Sequence, residues 1–226
     1  MTVFSEAAEG FVNNGIHPAN MPRVCETVGF VSAVGGSGTT SAAQTLSRIY
    51  STLFEYKTLY ISLDYMASKA SIEPGTLQIP THLQGREAVY SLLFESQSIA
   101  GKLIRDDLGV FGLPKDSFRN PLHFLAEEQM HRLMEIFEAN FDRIVLDIPL
   151  NCPLSSYALD ISDTVVVCKS RREDGIAAGT ELYDHLKTAR DGVISFAPEY
   201  EENLSKDIYG HFGMEVRGLA ETIEGR

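Results

Sequence analysis

Cysteine is scarce in this sequence: only Cys25, Cys152 and Cys168 occur among 226 residues. Three scattered thiols cannot make a disulfide framework, and none has a second cysteine at zinc-site spacing, so they read as buried or incidental. Positive charge is also short. Nineteen Lys and Arg against 31 Asp and Glu give a net charge of −12, which opposes binding to a phosphate backbone and argues against a nucleic-acid partner. Arg171 and Arg172 are a basic pair of local reach only. No apolar run approaches the roughly 18 residues a membrane span needs. The C-terminal stretch GMEVRGLAETIEGR has no Lys-rich amphipathic face, so direct membrane insertion is not expected. The start, MTVFSEAAEGF, lacks a basic region followed by an apolar core, and the expected location is the cytoplasm. The six histidines, His17, His82, His123, His131, His185 and His211, show no paired ligand spacing, and no Ser, His and Asp grouping stands out.

What the sequence does hold is an alternation of short β-rich runs with longer helical stripes. Strands are expected at Val28 to Val34, Thr58 to Leu63, Leu108 to Phe111, Arg143 to Leu146, Thr164 to Cys168 and Val193 to Phe196. Most are apolar throughout, so both faces of the sheet should be covered and the strands mostly parallel. Thr40 to Glu55 carries Ala43, Leu46, Ile49, Tyr50 and Leu53 on one helical face. Leu122 to Asn140 does the same with Phe124, Leu125, Met130, Leu133, Met134 and Phe137, and a third helix is expected from about Asp174 to Lys187 with Ile176, Leu182 and Leu186 inward. The fold expected is α/β: a doubly wound, mostly parallel sheet of about six to eight strands flanked by helices, with ligands beyond the strand carboxyl ends. Residues 65 to 85, with two prolines and two glycines, read as an excursion over that face. Residues 1–226 read as a single domain with an N-terminal arm over 1–23.

The stretch VSAVGGSGTTS, residues 31 to 41, follows the first strand and opens the first helix. Glycines there let backbone N–H groups converge on phosphates at the positive end of a helix dipole. By itself such a turn serves equally as a tight strand-to-helix connection without a ligand. Two acids at strand ends alter the balance: Asp64 closes TLYISLD and Asp147 lies in FDRIVLDIP. Alone, each reads as a cap; behind the loop, Asp147 reads as the holder of a metal-bound water.

In this order the segments resemble the ParA/MinD-type P-loop proteins, whose deviant loop runs Lys-Gly-Gly-x-Gly-Lys-Thr. The resemblance spans about Thr27 to Phe196, through the loop, its helix, the Asp64 strand, FDRIVLDIP and DTVVVCKS. More narrowly, the chain is similar to TadZ- or CpaE-like pilus-assembly localisation proteins lacking a receiver-like domain. The resemblance implies nucleotide contacts from Gly35, Gly36, Ser37, Gly38, Thr39, Thr40 and Ser41, a magnesium site at Thr40 and Asp147, and a catalytic acid at Asp64, which helps place the attacking water. It also exposes departures. Val34 stands for the signature lysine, Thr39 for the loop lysine and Ser62 for the first acid of an Asp-x-Asp pair, while VISFAPEY has no Asn at the base-binding strand end.

Hydrogen bonds to charged groups contribute roughly 1.5 to 3 kcal/mol each, so one lost lysine weakens nucleotide binding by about 10- to 150-fold. Hydrolysis suffers more, because phosphoryl transfer depends on positive groups at the transferred phosphoryl. The expected function is therefore a degenerate relative that binds ATP or ADP with magnesium weakly, structurally or not at all. It would act as a homodimeric scaffold or localisation factor with the protein partners of an assembly machine, a pseudo-ATPase more than an enzyme. The alternative is a slow magnesium-ATP-dependent ATPase switch in which Lys169, Arg171, Arg172 or Lys69 supplies a displaced cation.

Overall fold

The computed structural model describes residues 24–64, 85–95, 98–114, 120–170, 173–198 and 208–225. The expected arm, the excursion up to residue 84 and three of the candidate cations, Lys69, Arg171 and Arg172, lie outside the described residues.

In chain order the elements are β1 (Glu26–Ser32), α1 (Thr39–Thr52), β2 (Thr58–Ser62), α2 (Gly85–Tyr90) running into a π turn (Ser91–Glu95), β3 (Ile104–Arg105), β4 (Phe111–Gly112), a 3₁₀ turn (Pro121–Phe124), α3 (Glu127–Glu138), β5 (Arg143–Pro149), α4 (Ser155–Ile161), β6 (Thr164–Cys168), α5 (Glu173–Ala189), β7 (Val193–Phe196) and α6 (Ile208–Glu224). The seven strands form one sheet in the order β3-β4-β2-β5-β1-β6-β7. Every pairing is parallel except β3 with β4. The doubly wound, mostly parallel α/β sheet expected from the sequence is thus the fold observed.

Strand alternation sorts the core into two faces. Val28, Phe30, Tyr60, Val145, Val166 and Cys168 pack with α1 and α6. Leu59, Ile61, Ile144, Leu146 and Ile148 pack on the other face with α3, α4 and the π turn, and Val165 and Val167 pack there with α5. Gly29 in β1 is required by a close approach, since a Cβ there would come within 2.5 Å of Ser162 Oγ. At the amino end of the sheet Arg143 ties α6 down. Its Nη2 lies 2.6 Å and its Nε 3.0 Å from the Glu224 carboxylate, and its guanidinium sits 4.2 Å from the centre of the Tyr56 ring.

Several expectations need correction. The expected strand at Leu108 is a turn: Gly109 takes φ +89° and Asp106 Oδ1 accepts from the N–H groups of Leu108 and Val110. Only Phe111 of that run enters the sheet. The expected helix from Leu122 breaks at Leu125 and Ala126, which are extended, so Phe124 is out of phase with α3 and 54% exposed. Leu53 is exposed because α1 stops at Thr52, ahead of a left-handed Glu55. Ile176 is exposed as well: six residues of helix turn through roughly 600°, leaving it about 120° round from Leu182.

Candidate functional site

Because β1 lies inside the sheet between β5 and β6, the loop after it emerges at the carboxyl edge with strand ends on both sides. Ser32, Ser62, Asp147 and Cys168 all alternate onto the α1 face, as Phe30, Tyr60, Val145 and Val166 do, and so come to lie beneath the loop and the start of α1. Parallel pairing sets Ser62 opposite Asp147.

Gly36 and Gly38 take φ +80° and +76°, a left-handed conformation that glycine adopts without a Cβ penalty. Cβ atoms at Gly35 or Gly36 would meet nothing within 4 Å. The absence of side chains there keeps the concave side of the loop open. Ser37 closes the turn by donating to the carbonyl of Val34 at 2.5 Å. None of the backbone N–H groups of residues 35–41 donates to an acceptor among the described residues. Gly38 caps α1, whose first turn contains no acid, so the positive end of the helix dipole is not neutralised from within. These amides face a pocket of about 420 Å³ whose lining brings together residues 35–41 with Ser32, Asp64 and Asp147. Residues 35–41, Asp64 and Asp147, all singled out in the sequence, therefore meet in one place.

Asp147 is 5% exposed. Its Oδ2 accepts three hydroxyls: Thr40 at 2.8 Å, Tyr60 at 3.2 Å and Ser62 at 3.3 Å. Burial pushes the Asp147 carboxyl above the usual range, the hydroxyls pull it back, and the charge of Asp64 pushes it up again. Tyr60, fully enclosed and facing that carboxylate, has its phenol held well above its ordinary value, mainly by burial. Oδ1 of Asp147 makes no hydrogen bond with the described residues, and Asp147 is one of the residues lining the pocket. A magnesium ion carried in by phosphates fits this donor set: Thr40 Oγ1 retains lone pairs after donating to Asp147, and Oδ1 is available to a metal-bound water.

The three positions where a lysine or acid was missed are filled in specific ways. Val34 packs against the start of α5, with its Cγ2 2.9 Å from where a Cβ of Gly175 would lie. Thr39 hydrogen-bonds toward the Cys168 thiol, which burial nonetheless pushes up to about 12. Ser62 serves the Asp147 cage and accepts from the Asp64 N–H at 3.2 Å. Lys169, the described cation nearest in sequence to this edge, is on the opposite face of β6, with Nζ 4.9 Å from the centre of the Tyr183 ring.

Sequence reasoning missed the support beneath Asp64. Asn120 is buried and donates from Nδ2 to the carbonyls of Ser62 at 2.6 Å and Asp64 at 3.0 Å, while its Oδ1 accepts from Leu122 N–H. His123 Nε2 lies 2.7 Å from the Leu63 carbonyl. The Asn-Pro pair at 120–121 signals a turn, but gives no hint of reach across 58 residues. Cys152 Sγ lies 3.5 Å from the same His123 nitrogen. A carbonyl can only accept, so Nε2 carries the proton and cannot act as a base toward Cys152, whose thiol burial holds above its ordinary value. The pair is structural. Among the described residues no group of three His, Cys, Asp or Glu could hold a metal, and no described helix is long and apolar enough to cross a membrane.

No protein-family model and no curated protein matches the sequence. Solved structures match it in three dimensions. A ParA family ATPase from Chlorobium tepidum TLS is 16% identical, with 83% of this chain and 81% of that chain covered at a TM-score of 0.60. Cobyrinic acid a,c-diamide synthase from Mycobacterium smegmatis, with bound ADP and magnesium, is 16% identical over 87% of this chain and 82% of its own, at 0.54. A chain of the MinC:MinD cell division protein complex of Aquifex aeolicus is 15% identical over 78% and 69%, at 0.52. At such identities the likeness is one of fold, and by that likeness the chain has the fold of the ParA/MinD-type P-loop ATPases.

Proposed function

We propose that this protein is a degenerate ParA/MinD-like nucleotide-loop protein that acts as a homodimeric scaffold or localisation factor, in an assembly machine of the TadZ/CpaE kind. ATP or ADP with magnesium is held weakly or structurally at residues 35–41, and turnover is dispensable. One observation carries the reading. The loop presents unpaired amides to a pocket whose described lining contains two carboxylates and no Lys or Arg. Amides and a helix dipole give an anion somewhere to sit. Without a cation they do not stabilise the charge that develops on a transferred phosphoryl group. Magnesium, when bound, would neutralise phosphate charge there, held by Thr40 and through water by Asp147.

Asp64 in the pocket lining favours a second reading, a slow magnesium-ATP-dependent ATPase switch in which this acid places the attacking water. Calorimetric titration of ATP and ADP with magnesium, followed by a phosphate-release assay, separates the two. Binding without turnover supports the scaffold. Turnover that disappears in Asp64→Ala overturns it in favour of the switch.

A further inference from the structure

A line of aromatic side chains stands on the outer face of α2 and its π turn. Ala88, Val89, Leu92 and Leu93 of that segment are buried, which leaves Arg86, Tyr90 and Phe94, spaced four residues apart, along the outer side. Tyr90 and Phe94 are both 57% exposed, and their ring centres lie 4.9 Å apart. Phe124 joins them from the 3₁₀ turn, where the Arg86 guanidinium sits 5.0 Å from its ring centre. Aromatic side chains carry about 150–250 Å² each, so three rings more than half exposed give water roughly 300 Å² of apolar area. At that size an exposed patch marks a binding site.

The backbone beneath the rings is held in place. Asn120 and His123 fix the 3₁₀ turn to the end of β2, and Lys102 Nζ donates to the Ser91 carbonyl of the π turn at 3.1 Å. Rings ordered in advance lose little freedom on binding. Tyr, Phe and Arg are also the residue types enriched at the centres of protein interfaces.

Charge separates the occupants. Glu95 follows Phe94, and Glu127 and Glu128 lie just past Phe124; all three are exposed. A two-fold contact between copies sets the same patch against itself, bringing like charges to both sides in a chain of net charge −12. An anionic membrane surface meets the same repulsion. A segment that offers apolar side chains to the rings and Lys or Arg to the glutamates is attracted on both counts.

We infer that Tyr90, Phe94 and Phe124 form a docking surface for a basic, apolar segment of another protein. Such a surface suits the scaffold role proposed above, and it does not depend on nucleotide at the loop.

The test titrates two fluorescein-labelled helical peptides, one of Leu and Lys and one of Leu and Glu, into the full chain by anisotropy. A negative chain attracts a basic peptide anywhere, so the deciding variant is Tyr90→Ser with Phe94→Ser and Phe124→Ser, which leaves the net charge unchanged. The Leu/Lys peptide is expected to bind the wild type, and to bind this variant at least about 10-fold more weakly. Glu95→Gln with Glu128→Gln should also weaken it, and this second variant decides the matter if circular dichroism shows that the first does not fold. No binding to the wild type, equal binding to wild type and variants, or equal binding of the Leu/Glu peptide overturns the inference. A dimer that the serine variant breaks in sedimentation overturns it in favour of a second copy. Wild-type binding to phosphatidylserine vesicles that the serine variant loses overturns it in favour of a membrane.

Discussion

The Thr40 hydroxyl donates to Asp147 Oδ2 across 2.8 Å, joining the first turn of α1 to the end of β5 over 107 residues of sequence. Tyr60 and Ser62 donate to the same oxygen from β2, so one buried carboxylate holds three elements at the pocket. Asp147→Ala strands the enclosed Tyr60 and Ser62 hydroxyls, and an orphaned buried polar group costs about 1–3 kcal/mol. A loss of about 2 kcal/mol is expected in urea unfolding at neutral pH. Asp147→Asn keeps an acceptor and removes a charge that burial disfavours, so it should lie within about 1 kcal/mol of wild type or above it.

Thr39, which the family resemblance sets at the position of the loop lysine, lines the pocket. Thr39→Lys is expected to tighten magnesium-ATP binding by about 10- to 150-fold. Unchanged affinity in calorimetry would mean that residue 39 does not face the phosphates.

Arg143 and Glu224 form a bidentate pair with side chains 11% and 15% exposed. Removing one partner of such a pair leaves an uncompensated charge, at a cost of about 3–5 kcal/mol. Arg143→Ala should show this in urea unfolding. Arg143→Met with Glu224→Met should recover much of the loss, because replacing both charges removes the desolvation cost of each.

Cys168 predicts a stability slope at high pH. Its thiol is raised from 9.0 to about 12 in the fold, chiefly by burial. Between those values the unfolded chain loses the proton and the folded chain keeps it, so stability falls as pH rises, by up to about 1.4 kcal/mol per pH unit. Urea midpoints measured from pH 8.5 to 10.5 should decline, and Cys168→Ala should flatten the decline. An unchanged slope in the variant would show that Cys168 does not contribute to it.

Much of the sheet was legible in sequence because its central strands are apolar on both faces. Thr164 to Cys168 and Val193 to Phe196 were bounded correctly, and β1, β2 and β5 to within three residues at each end. The edge was not. β3 and β4 have two residues each, too few to show a period, and α2, α4 and the full span of α6 gave no stripe strong enough to be read. Of the site, the loop and both acids were visible as residue types at strand ends. Asn120 and His123 were not, because their partners are backbone carbonyls, which every residue has.

The sequence by itself determined the class of fold, the glycine-rich strand-to-helix turn and the shortage of positive charge at that turn, since these depend on local composition and periodicity. Only the tertiary structure decided that three hydroxyls share one oxygen of Asp147, that Lys169 lies on the far face of β6, and that Arg143 meets Glu224. The reason is physical: strand order and alternation choose which distant residues become neighbours, and burial then sets what their charges cost.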